Sequence, residues 1–193
     1  MAPWNPAEYG PVFGAIFAEK RLPVLGPGHP NEAMHVMLNQ LSPAAAFGDR
    51  AIQNRTFATC CLAAAWWYHD FLSDSHVLSQ SVNSPSGNYW HALMHRREPD
   101  HPNAKYWMER TGEHPIHPDL QLEAYTLADE LDALPGCDFL LRQVKWDPYA
   151  FVDLCESVDG TKSDVEGLCR QIQLREFELL FHHCYHHAVG IGV

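Results

Sequence analysis

The sequence lacks the short motifs by which many catalytic chains declare themselves. It has no Gly-rich phosphate loop and no G-x-S-x-G elbow, which removes two common nucleophile and nucleotide sites. None of its six cysteines falls in a C-x-x-C pair. Cys60, Cys61, Cys137, Cys155, Cys169 and Cys184 instead take mostly apolar helical positions. That placement predicts reduced core thiols, not a disulfide frame or a zinc finger. Positive charge is also scarce, with 13 Lys and Arg against 24 Asp and Glu, a formal net charge of −11. Such a balance argues against nucleic acid as a partner, since a phosphate backbone must be neutralised on binding. It argues equally against an anionic membrane surface.

Long apolar runs are missing too. No stretch approaches the roughly 20 residues that span a bilayer. The opening MAPWNPAEYG carries no basic segment followed by an apolar one, so no signal peptide is expected,. These features predict a soluble, cytoplasmic protein. No alternation of apolar and polar residues suggests a strand.

What is present is a core and an excess of histidine. Hydrophobic residues make up 46% of 193, and histidines number thirteen. The length fits one domain over residues 1–193. The reading is all-α, a single-domain bundle of unequal helices. Residues 1–30, rich in Pro and Gly, form an extended or loosely helical arm. Trp4, Tyr9, Phe13, Ile16 and Phe17 should pack that arm on the body.

NEAMHVMLNQL reads as one helix, and Ser42-Pro43 starts a short second. A long helix is expected from about Asp49 to Gln80, with Phe57, Cys61, Ala64, Tyr68, Leu72 and Ser75 along one stripe. NSPSG breaks it, and the YWHALMHRRE helix follows. Asp100 caps the next, which Gly112 closes. Pro118 opens another helix that runs to Pro135-Gly136, and Asp147-Pro148 opens one that turns at Asp159-Gly160. Ser163 and Glu166 form a capping box for a last long helix closed near Gly190.

The histidines of that fourth segment carry the functional reading. His91 and His95 are four residues apart, on one helical face and about 6 Å apart along the axis. Two imidazoles at this spacing suit one metal ion. Ala92 and Leu93 separate them, so the zinc-protease H-E-x-x-H pattern is absent. Glu98 shares the face but lies about 10 Å beyond His91 along the axis, better placed as a general base or a ligand orienter. A third ligand should come from another helix.

That helix is the one before. His69, Ser73, His76 and Gln80 form a polar stripe, and a short connection makes two helices antiparallel. His76 should then approach His91, and His69 or Asp70 should approach His95. Asp70 or Asp74 could orient a ligand imidazole. A solvated helix face would show the same residues, and a hydrogen-bonded core pair would show the same His91–His95 spacing.

Arg96, Arg97, Lys105 and Arg110 form a basic set. One arginine, with Lys105 and Asn103, could clamp a carboxylate or phosphate between Trp90 and Trp107. Ion pairs with Glu98, Asp100 or Glu109 would explain the same residues. His182, His183, His186 and His187 read as a surface patch, with His182 and His186 solvated. His114 and His117 each precede proline and belong to a connection, with His117 able to cap the next helix.

The pieces Ser75-His76, Ser79-Gln80, Tyr89-Trp90-His91, Met94-His95-Arg96-Arg97-Glu98, Asp100 and Asn103-Ala104-Lys105-Tyr106-Trp107 give this segment a recognisable pattern. It resembles the core of an uncharacterised bacterial all-helical protein family, over about a quarter of the chain. The resemblance implies that His76 and Tyr89–Trp107 act as one unit. It implies no activity, and it does not extend to the four histidines of the last helix.

Two functions stand side by side at this point. One is a divalent metal (Zn, Fe or Ni) held by His76, His91 and His95 and supporting hydrolysis, with Glu98 as base. The other is a metal-free module binding a small anionic or polar molecule. A purely structural polar network would use the same residues.

Overall fold

Helix starts fall where a short polar side chain offers an oxygen to the first turn. Ser42, Ser84 and Asp147 do so just before Pro43, Pro85 and Pro148, and Asn54 does so before Arg55. Each satisfies amide groups that have no partner within the helix. Proline at the first position loses nothing there. The computed structural model describes residues 4–131 and 136–191.

Eleven α-helices lie among the described residues, after a 3-10 turn at Pro6–Tyr9. In chain order they are α1 (Gly10–Ile16), α2 (Glu32–Asn39), α3 (Pro43–Phe47), α4 (Arg55–Tyr68), α5 (Leu72–Ser79) and α6 (Pro85–Arg97). Then come α7 (His101–Thr111), α8 (His117–Asp129), α9 (Asp138–Arg142), α10 (Pro148–Val158) and α11 (Asp164–Val189). No strand occurs among the described residues, so the all-α reading stands. No helix among them is long and apolar enough to cross a membrane.

The core is aromatic and centres on α4, α6 and α11. Phe177 of α11 meets Trp67, Tyr68 and Trp90 at ring-centroid distances of 5.4, 5.0 and 5.6 Å. The N-terminal arm closes this cluster from outside, with Trp4 and Phe17 within 6.1 Å of the same ring. Tyr9, Phe13, Ile16 and Phe17 are all buried, as the arm's composition predicts. The arm is more regular than expected, because Pro6–Tyr9 and α1 are helical. All six cysteines are free and buried.

The expected long helix from Asp49 to Gln80 is two helices. Asp49–Asn54 lies outside them, because Asn54 caps α4. The chain then breaks at His69 and Asp70, where Asp70 takes φ 65°. Aspartate tolerates this left-handed conformation better than most residues. Its carboxylate is held there by Arg97 and Arg21, each at 2.5 Å. Gly28 sits against the same pair, and a Cβ on it would come within 2.8 Å of the Asp70 carboxyl carbon. Stripe periodicity could not show this break, since the phase of the apolar residues survives it.

α5 and α6 are joined by a tight connection at Gln80–Ser84. A Cβ at Gly87 would lie 2.3 Å from the Val82 carbonyl oxygen. The bare glycine therefore lets the first turn of α6 close onto the end of α5. Pro118 lies in the first turn of α8, which ends at Asp129. The Pro135 half of the expected stop is outside the described residues, and α9 was not anticipated. At α11, Ser163 caps Glu166 as expected, while the Glu166 carboxylate reaches the Lys162 amide at 2.6 Å.

Candidate metal centre

The α5–α6 turn brings His76 onto the His91/His95 face. The His76 ring lies 4.7 Å from His91 and 4.9 Å from His95, and His91 lies 4.8 Å from His95. One ligand nitrogen from each falls within 4.8 Å of the others. Nitrogens bound tetrahedrally at about 2.0–2.1 Å from zinc stand roughly 3.3 Å apart.

Two of the three rings are buried. His91 is 4% and His95 5% exposed, while His76 is half-buried and opens to the surface. Neither nitrogen of His91 has a hydrogen bond, and neither does Nδ1 of His95. Buried polar atoms are normally satisfied, so such a group calls for an explanation. Burial, reinforced by His95 and His76, pulls the His91 pKa down to about 3. Burial and His76 also lower that of His95. Burial thus favours the neutral form of both rings, the form a metal ligand takes,. Trp107 of α7 lies parallel to His91, with centroids 4.1 Å apart.

Two carboxylates stand on the far side of His95. Its Nδ1 is 3.8 Å from Glu98 Oε2 and 3.6 Å from Asp100 Oδ2. Glu98 thus lies beside the site, as its position on the face predicts. Asp100 was expected to serve as a helix cap or an arginine partner, and its approach to His95 was not. Its backbone N–H donates to the His95 carbonyl at 3.0 Å, folding the chain back over that imidazole. This bond from the third residue past α6 to the third-last carbonyl within it is a common way for a helix to end,.

The expected helpers are elsewhere. His69 donates through its Nε2–H to the Ile16 carbonyl, 2.8 Å away, and its Nδ1 is 3.2 Å from the Asn31 amide nitrogen. It is part of the arm's anchorage, not of the His95 neighbourhood. Asp70 belongs to Arg97 and Arg21, and Asp74 is exposed. Neither orients a site imidazole.

The anion clamp is not assembled. Arg96 and Arg97 are 1% and 0% exposed. Arg96 pairs with Glu176 at 2.5 Å, and Arg97 with Asp70. Neither uses Glu98, Asp100 or Glu109, because α6 turns these side chains inward against α11 and the α4–α5 break. Lys105 is paired with Asp153. Asn103 donates to Asp100 through its backbone and its amide. Trp90 is fully buried in the aromatic core beside Phe177, so it walls no open pocket. Arg110 lies over Trp107, 5.4 Å from its ring centre.

The histidines of α11 are not a simple surface patch. His183 is buried, 4.9 Å from the His114 ring. His182 is half-buried and hydrogen-bonded through Nδ1 to the Tyr9 hydroxyl at 3.0 Å, and His186 is half-buried as well. The arm covers the face that the helical period alone leaves open. His114 is bonded to Ser86 at 2.9 Å. His117 begins α8, and its Nδ1 faces the His114 amide at 3.3 Å.

No protein-family model, no curated protein and no solved structure matches the chain.

Proposed function

We propose that His76, His91 and His95 hold one divalent metal ion, zinc, iron or nickel, and that the protein is a metal-dependent hydrolase. The observation that carries this reading is the convergence of three imidazoles, two of them buried, with both nitrogens of His91 and Nδ1 of His95 lacking a hydrogen-bond partner. Three protein ligands leave a coordination position for water. A bound metal lowers the pKa of that water towards neutrality and makes hydroxide available as a nucleophile. Glu98, beside His95 and partly exposed, is the general base.

A metal-free anion site would need unpaired cations. The ion pairs of Arg96, Arg97 and Lys105 withdraw three of the four cations of that set and leave Arg110 over Trp107, which supports the metal reading over that alternative. The location of the three ligands within the segment that resembles a bacterial helical family also supports treating them as one unit.

The test is metal content by mass spectrometry on protein prepared without a histidine tag. About one metal per chain, lost in the double variant His91→Ala, His95→Ala and kept in His183→Ala, His187→Ala, is expected. An empty wild type, or loss only in the second variant, would overturn the proposal.

A further inference from the structure

The two carboxylates at His95 are held very differently. Asp100 is pinned on three sides. Its backbone N–H reaches the His95 carbonyl at 3.0 Å. Its Oδ1 accepts from the Asn103 amide N–H at 3.4 Å, and its Oδ2 from the Asn103 side chain at 3.2 Å. The same Oδ2 is the carboxylate oxygen 3.6 Å from the unpartnered His95 Nδ1. Glu98 closes α6. Among the described residues no hydrogen bond holds its carboxylate, whose one neighbour of this kind is the same Nδ1 at 3.8 Å.

A histidine that binds metal through one ring nitrogen commonly donates the other N–H to a carboxylate. That contact fixes the tautomer and aims the free lone pair. A rigid carboxylate suits the task, because a mobile one would not restrict the ring. A carboxylate that must take up a proton needs the opposite property, freedom to move.

We propose that Asp100 and Glu98 divide these tasks. Asp100, itself held by Asn103, positions His95 by accepting its Nδ1–H and leaves Nε2 to face His76 and His91. Glu98 stays free for proton transfer. Asp100 is a positioning residue and touches no substrate. Asn103, which the sequence offers as a ligand-binding residue, stands one step further out in the same chain of contacts. This inference rests on the metal reading.

The experiment compares Co²⁺ and Zn²⁺ affinity in the wild type, Asp100→Asn, Asp100→Ser and Glu98→Gln, with thermal melting of each in chelator. Asn and Ser both keep the helix cap, so metal-free melting should hold while the carboxylate beside His95 is lost. Affinity should fall about 10–100-fold in both Asp100 variants, as for other outer ligand partners. The Co²⁺ visible spectrum should shift with it. Glu98→Gln should keep affinity within about threefold, far less than that loss. Equal losses in Glu98→Gln and Asp100→Asn, or unchanged affinity and spectrum in both Asp100 variants, would overturn the division while leaving the metal site standing. A wild type that binds neither ion would overturn the metal reading itself.

Discussion

The imidazole of His91 lies face to face with the indole of Trp107, 4.1 Å apart and 25° from parallel. The Arg110 guanidinium lies 5.4 Å from the centre of the same indole. The stack keeps water from one side of His91 and limits the ring's rotation. It also places a fluorophore against a proposed metal ligand. Titration with Ni²⁺ should quench tryptophan emission in the wild type. Trp107→Phe should lose the largest share of that quench, and His91→Ala nearly all of it. A quench unchanged in Trp107→Phe would place the ion elsewhere.

Gly87 sets the distance between α5 and α6. A methyl group there would meet the Val82 carbonyl at 2.3 Å and its Cγ1 at 2.5 Å. The backbone of one helix must shift to admit it. Gly87→Ala should therefore destabilise the fold by about 1–3 kcal/mol, the usual cost of overpacking. It should also weaken metal binding by separating His76 from His91. Urea denaturation and a competitive metal titration check both parts.

Asp70, Arg97 and Arg21 form a buried tie between the arm and the α4–α5 break. Arg97 also donates to the carbonyls of Trp67 and Gly26 at 3.1 Å each and to that of Pro27 at 3.3 Å. Arg97→Ala leaves the Asp70 carboxylate with Arg21 alone and three carbonyls with fewer donors. Breaking a buried pair from one side costs about 3–5 kcal/mol. The urea midpoint should fall accordingly, and a change under about 1 kcal/mol would show that the tie contributes little.

Acid should destabilise the fold through histidines away from the metal centre. Burial, with His183 and other imidazoles nearby, lowers the His114 pKa to about 3. Burial and His187 lower that of His183 to about 4. Unfolded histidine takes up a proton near 6.5, so below that pH the unfolded chain binds protons that the native one refuses. Stability is then fully present above pH 6.5 and is lost as pH falls towards 4. His114 contributes roughly 2 kcal/mol of loss between pH 6.5 and 5, and His183 less, since it lies nearer the surface. Urea midpoints at pH 7.5 and 5 should differ, and His114→Gln should shrink the difference. Equal midpoints would contradict the assignment.

The cysteines supply a simpler check. All six are free and at most 3% exposed, and burial raises the pKa of Cys61 and Cys137. The thiolate is the reactive form. A thiol reagent should find almost none in the native protein and six after denaturation.

The sequence by itself determined whatever depends on neighbours a few residues away. The helical character, the caps at Ser42, Asp147 and Ser163, and the shared face of His91 and His95 follow from periodicity and capping chemistry within one turn. Even the approach of His76 was legible, because a short connection leaves two helices little choice but to fold back. Only the tertiary structure decided which polar groups met across the chain. Arg96 found Glu176, Arg97 found Asp70 and Tyr9 found His182, over separations that no helical spacing encodes. Those choices broke the expected long helix at Asp70, removed the arginines from the site and covered part of the α11 histidine face. Asp100, by contrast, came to His95 locally, through the turn that closes α6,. A buried charge or ring nitrogen must find its partner wherever packing brings one within reach, and the packing is a property of the whole chain.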